Sequence, residues 1–180
     1  MENLTALSNS FKSEMAIFDE LAKNYLDSDV ELINQIANHI VNSGGKKLRP
    51  ILMFYCKNLF SNISKDMENN LNKMAVAIEF IHTATLLHDD VIDESDLRRG
   101  KKTTNSIWGN QSSILVGDYL LSRCFEIMVQ DGDLEVLQLL SSTSAKIAQG
   151  EVLQLQHKGE ADLLEETYID IINLKTAALF

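Results

Sequence analysis

The chain has 180 residues, 45% of them apolar, with 26 acidic against 16 basic side chains and a formal net charge of −10. Such an acidic balance argues against a nucleic-acid partner, and the two cysteines, Cys56 and Cys124, show neither metal-ligand spacing nor a disulfide framework. No signal peptide and no bilayer-length apolar run is evident, so the cytosol is the expected compartment.

Sparse glycine, a single proline and no alternating pattern of useful length predict an all-α protein. Helices are expected over Leu4–Leu26, Asp29–Asn42, Lys47–Phe60, Asp66–Asp93, Gln111–Gln130, Asp133–His157 and Leu163–Leu179. Asp27-Ser28 and Asp162 are candidate caps, and Gly44-Gly45 a stop. Without a repeat or a Pro- or Ser-rich linker, one domain over 1–180 is the simplest organisation. Gly117 and Gly150 fall inside helical patterns at a cost of about 1 kcal/mol each relative to alanine. Close helix packing or a kink facing a ligand would rationalise them.

The first informative cluster, Ser43-Gly44-Gly45-Lys46-Lys47-Leu48-Arg49-Pro50, separates the second and third helices. Two glycines allow a tight turn and a close backbone approach, and Pro50 suits a helix start. Lys46, Lys47 and Arg49 surround a helix N-terminus, whose free N–H groups favour phosphate. A glycine-terminated helix followed by basic surface residues is the competing explanation. P-loop spacing is absent.

The end of the fourth helix carries the strongest signal: His88-Asp89-Asp90-Val91-Ile92-Asp93, then Arg98-Arg99-Gly100-Lys101-Lys102. Asp89 and Asp93 lie about 40° apart on one helix face, with Asp90 about 100° round from Asp89. Crowded carboxylates repel one another and are best borne with a divalent cation nearby. Guanidinium forks match phosphate oxygens. Together these suggest a diphosphate held between Mg²⁺ and arginine, against the plainer alternative of a solvated acidic helix end. His82 and Thr85 share the stripe of Asp89 and Asp93, His82 within about 20° of Asp89, which makes His82 a ligand candidate. His88 is a candidate supporting partner, whereas His39 and His157 carry no usable signal. Ser95–Trp108 is polar and basic, and suited to ordering over a bound diphosphate.

In the next helix, Ser112–Val129 is apolar around much of its circumference, through Leu115, Leu120, Leu121, Phe125 and Met128. It suits either a core helix or one buried between two subunits.

These segments resemble the trans-polyprenyl diphosphate synthase family, nearest its long-chain bacterial branch. Gly44–Pro50 is similar to the family's GGKxxRP motif, and Leu87–Gly100 to its first aspartate-rich motif with the following arginine pair. Gly150–Leu155 and Leu174–Ala177 also resemble family positions, and the likeness runs from Phe18 to Phe180. The resemblance implies an antiparallel helical bundle of the isoprenoid-synthase type, incomplete at the C-terminus. No second aspartate-rich motif is found, and the sequence stops inside an apolar helical pattern. The expectation is therefore an N-terminal half, with little or no turnover alone.

The implied activity is Mg²⁺-dependent condensation of an allylic prenyl diphosphate with isopentenyl diphosphate, giving a long-chain all-trans polyprenyl diphosphate. By the resemblance, Asp89 and Asp93 bind Mg²⁺, assisted by Asp90, and Arg98 contacts the allylic diphosphate. Lys46, Arg49, His82 and Arg99 hold the diphosphate of isopentenyl diphosphate. Lys175 and Thr176 meet the allylic diphosphate from the opposite wall, and Gln154 joins the substrate contacts. Lys47 is given no direct contact. Ala84 and Thr85, about one turn or 6 Å below Asp89, are small where large aromatics would floor the pocket, which implies a product of about forty carbons. A homodimer is implied, and the long product would draw the enzyme to the membrane surface. The rival reading is a non-catalytic subunit of a heteromeric synthase.

Overall fold

The structure is a computed structural model and describes residues 10–60, 62–131 and 133–180. The described helices are α1 (Lys12–Leu26), α2 (Glu31–Asn42), α3 (Leu48–Lys57), α4 (Lys65–Ile92), α5 (Thr104–Trp108), α6 (Asn110–Asp131), α7 (Leu134–Gln156) and α8 (Glu165–Lys175). A 3₁₀ turn, Ala177–Leu179, follows α8. The all-helical expectation holds. The expected start of the first helix, residues 4–9, lies outside the described residues.

Two compact units divide the chain, one ending at Asp131 and the other spanning Gly132–Phe180. In the first, α4 is the central element, packed most extensively on α6 and also on α1 and α3. Four consecutive residues, Met74, Ala75, Val76 and Ala77, are buried, so that part of α4 is covered all round. Its start is fixed by Ser64, whose hydroxyl accepts the Met67 N–H at 3.2 Å, with Asp66 and Glu68 favourable in the first turn. On α1, Phe18, Ala22 and Leu26 recur at helical spacing and are buried. The α4–α6 contact is tight because Ser113 donates to the buried Leu87 carbonyl at 2.9 Å and Gly117 makes room for His88. A Cβ on Gly117 would lie 2.3 Å from the His88 ring.

In the second unit α7 packs on α8. Asp133 caps α7 by accepting the Glu135 and Val136 N–H groups. Gly150 sits where a Cβ would be 2.6 Å from the Lys175 backbone nitrogen, so helix packing explains this glycine too.

Several sequence expectations need correction. Ser28 and Asp162 are not the capping residues; Val30 and Leu164 stand at those helix starts without side-chain caps. Ser28 instead exchanges hydrogen bonds with Asn34. The last helix stops at Lys175 rather than running to Leu179. Between α4 and α6 lie a two-stranded hairpin, β1 (Leu97–Arg98) and β2 (Lys101–Lys102), and the short α5. Strands of two residues leave no alternation to read. Arg99 and Gly100, at φ +53° and +77°, form the two-residue turn, matching the left-handed conformation that tight hairpins require.

Candidate functional site

The acidic end of α4 is an unfavourable place for carboxylates, since the helix dipole puts partial negative charge there. The chain answers this by folding β1 back. Arg98 binds Asp90 through Nε, at 2.9 and 3.1 Å to the two carboxylate oxygens, and through Nη2 at 2.8 Å. Asp90 is 4% exposed, so this is a bidentate, largely desolvated pair. The loop is pinned further by Asn105, which donates to the Asp90 and Ser95 carbonyls, and by Thr103, whose hydroxyl donates to Ser95 at 2.7 Å.

The adjacent arginine goes elsewhere. Arg99 donates to the Gly44 carbonyl, 55 residues away in sequence, and its guanidinium lies against Gly45. A Cβ at Gly45 would be 2.8 Å from the Arg99 guanidinium, which gives the second glycine its physical reason. Lys47, at φ +44°, starts α3, forms an ion pair with Asp19 and stands over the Phe18 ring. His39 Nε2 lies 2.8 Å from the Lys102 carbonyl and packs edge-on to Trp108. The hairpin thus joins the two basic motifs.

These groups border a cavity of about 150 Å³ in the first unit. One part of its lining is polar and basic, with Gly44, Gly45, Lys47, His82, Arg98 and Arg99. The rest includes apolar Phe18, Ala22, Leu26, Phe80, Leu86 and Leu120, together with the carboxylates of Asp19, Glu79 and Asp90. An anion with a short apolar tail matches that division.

The titrations follow from burial and charge. The His82 imidazole is pushed down to about 4, first by burial and then by Arg49, Arg99 and Arg98, so it is neutral at neutral pH. Burial pushes the Glu79 carboxyl up, opposed by Arg49, Lys47 and Arg99. Arg49 is lowered by burial, with Glu79 acting the other way. Burial also raises the Cys124 thiol to about 12, as suits an inert core cysteine.

Asp89, 9% exposed, ends the buried face of α4, and Asp93 is its exposed C-cap residue. Among the described residues no three of His, Cys, Asp or Glu converge into a closed metal cage. Two carboxylates at a helix end still fit Mg²⁺, which commonly takes one or two and completes its shell with water and phosphate oxygens. Lys46 is exposed. His88 turns away from the acids, to the Ile114 carbonyl at 3.2 Å and Asp118 at 3.4 Å on α6. Ala84 is wholly buried, and Thr85 bonds its own helix at the His82 carbonyl; neither borders the cavity, which Thr83, Leu86 and Leu87 line instead. In the second unit, Lys175 pairs with Glu151 at 2.7 Å, while Thr176 and Gln154 are exposed.

Glu79, Asp19, His39 and Asn105 were not legible as site residues, although Glu79 left a signal as a lone acid inside the apolar run Met74–Leu87.

The polyprenyl synthetase family profile matches residues 30–180. Octaprenyl diphosphate synthase of Escherichia coli is 44% identical over 179 residues, covering 99% of this chain and 54% of that protein. The crystal structure of a polyprenyl synthase from Caulobacter crescentus, complexed with calcium and isoprenyl diphosphate, superposes with a TM-score of 0.92 at 42% identity. It covers 98% of this chain and 53% of its own. A decaprenyl diphosphate synthase from Rhodobacter capsulatus gives a TM-score of 0.90 at 40% identity, over 98% and 54%. The chain spans about half the length of the curated relatives it matches.

Proposed function

The chain belongs to the polyprenyl synthetase family, and from that premise we infer that it carries the diphosphate-binding machinery of a long-chain trans-polyprenyl diphosphate synthase. The observation that carries this reading is the cavity where Arg98, Arg99, Gly44, Gly45, Lys47 and His82 meet above an apolar lining. Its chemistry suits isopentenyl diphosphate, whose diphosphate would take Arg99 and the neutral His82 at the cavity, while Arg49 and Lys46, which do not border it, are added on the family likeness. A neutral imidazole offers one N–H to a phosphate oxygen and adds no charge.

Asp89 and Asp93 would hold Mg²⁺ against the allylic diphosphate, with Arg98 on the same group. The chemistry that Mg²⁺ supplies when bound is neutralisation of the diphosphate and stabilisation of the charge it gains as the allylic C–O bond breaks. Arg98, oriented by Asp90, would add a fixed cation to the same leaving group. The isopentenyl double bond then attacks the allylic carbon, and the released diphosphate is the base for the proton lost. Apolar walls exclude water from the cationic centre. By the family likeness, Lys175, Thr176 and Gln154 would join the substrate contacts. A long product of octaprenyl type rests on the family likeness and on the small size of Ala84 and Thr85, although neither borders the cavity described above.

The outward stripe of α6 supports a homodimer. Leu115, Phe125 and Val129 are 67%, 49% and 65% exposed, whereas Leu120 and Met128 are in the core.

The test is calorimetric titration of the chain with a non-ionisable allylic diphosphate analogue, with and without Mg²⁺. Mg²⁺-dependent binding that Asp89→Asn abolishes is expected, and no Mg²⁺ dependence in the wild type would overturn the reading. Turnover is followed with labelled isopentenyl diphosphate and farnesyl diphosphate. Activity that appears only on adding a partner synthase subunit would favour the non-catalytic-subunit alternative.

A further inference from the structure

The hairpin that carries Arg98 and Arg99 has little stability of its own. Each strand is two residues long, and Leu97, Lys101 and Lys102 are exposed, so apolar burial adds little to it. Its place beside the cavity comes from bonds to other elements. Arg98 is held by Asp90, and Arg99 by the Gly44 carbonyl. Both tethers end in guanidinium groups that a diphosphate would recruit, so each weakens as the ligand takes hold.

A third tether grips the backbone instead. His39 Nε2 lies 2.8 Å from the Lys102 carbonyl, an oxygen that an anion has no means to recruit. A carbonyl only accepts, so Nε2 carries the proton and donates. Lys102 stands opposite Leu97 and Lys101 opposite Arg98, so a hold on β2 passes to the strand that bears Arg98. At the base of the hairpin the Thr103 N–H donates to the Asp96 carbonyl at 3.0 Å. The support behind His39 is firm. It follows Ile36 and Ala37 on α2, both buried, and its ring meets Trp108 edge-on with centroids 5.3 Å apart. His39, Arg98, Arg99 and Lys102 all border the cavity.

We propose that His39 is a positioning residue of the diphosphate site, its Nε2–H holding the Lys102 carbonyl so that Arg98 and Arg99 stay at the cavity when the ligand draws them from Asp90 and Gly44. The inference rests on reading the cavity as a diphosphate site. It assigns His39 a role through the hairpin, by a donated bond and not by charge, and that choice can be tested. Glutamine keeps an N–H donor without the ring or any positive charge, whereas phenylalanine keeps a ring for Trp108 and has no donor.

The experiment compares wild type, His39→Phe and His39→Gln of the 180-residue chain, with thermal midpoints by circular dichroism to verify folding. Isothermal titration with inorganic diphosphate gives the affinity. Limited trypsin digestion without ligand, followed by mass spectrometry, gives the rate of cleavage after Arg98, Arg99, Lys101 and Lys102, and so reports how often the hairpin opens. His39→Phe should raise both the Kd and the cleavage rate about five-fold, on the scale of one hydrogen bond, and His39→Gln should stay within about two-fold of wild type. If His39→Phe does not fold, His39→Ala replaces it with the same expectation. Wild-type cleavage and affinity in the donorless variant overturn the proposal, as does a His39→Gln equally impaired. A raised Kd without faster cleavage would make His39 a direct ligand contact, and faster cleavage at unchanged Kd would disconnect the hairpin from binding; either overturns the proposal while leaving the diphosphate reading intact. A wild type that binds no diphosphate overturns both.

Discussion

Acidification provides a direct test of the charge arrangement around His82. Burial and the neighbouring arginines hold its imidazole at about 4 instead of 6.5. In the unfolded chain the ring takes up a proton near its ordinary pH, and in the fold it resists doing so until much lower. The unfolded state therefore binds more protons between those values, and stability falls as pH drops from about 6.5 towards 4. At about 1.4 kcal/mol per pH unit, the gap sets a ceiling of about 3 kcal/mol, which the partial exposure of the ring reduces. Urea unfolding at neutral pH and at several points down to about pH 4 measures the loss. Carboxylates titrate in this range too, so the decisive comparison is with His82→Gln, which cannot charge. The variant should lose less stability than the wild type over the same interval. Parallel losses in the two proteins would refute the argument. A diphosphate bound in the cavity would draw the imidazole back up. Binding at about pH 5 should then consume protons, seen as a buffer-dependent heat in calorimetry.

Four further substitutions probe other positions. Gly45→Ala would bring a Cβ within 2.8 Å of the Arg99 guanidinium. The displaced group is the end of a flexible side chain, so the thermal midpoint should hardly change while diphosphate affinity drops about ten-fold. Gly150→Ala meets backbone instead, 2.6 Å from the Lys175 nitrogen. It should cost about 1–3 kcal/mol in urea unfolding, because α8 must move rather than a rotamer. In active synthase, Ala84→Phe or Thr85→Phe should shorten the products on reversed-phase chromatography. Unchanged lengths in both would refute the pocket-depth argument.

Much of this was legible in the residues. Asp89, Asp93 and the arginine pair point by their spacing towards a phosphate site, and helical periodicity located the long helices to within a few residues. What escaped had a common cause. Arg99 meets Gly44 and His39 meets Lys102 across more than fifty residues, and no local pattern encodes such pairings. The hairpin escaped because its strands are too short to show a period. Asp90 reads as a flanking acid that assists Asp89 and Asp93, yet it is spent on Arg98, since only a folded loop reveals which carboxylate the guanidinium selects. Glu79 stands out in the sequence only as a lone acid, which signals nothing until the cations facing it are known. The glycines showed the converse: Gly117 and Gly150 broke helix propensity openly, but the neighbour that demanded each was supplied by packing.

Neighbours in the chain, Arg98 and Arg99 are sent in opposite directions by a turn with no spare residue. One anchors the acidic helix end and the other reaches the glycine pair before α3. Lengthening that turn by a single residue would rotate one arginine away from its target while leaving both in the sequence. Such an insertion would survive any motif search and still uncouple the acidic helix end from the glycine turn.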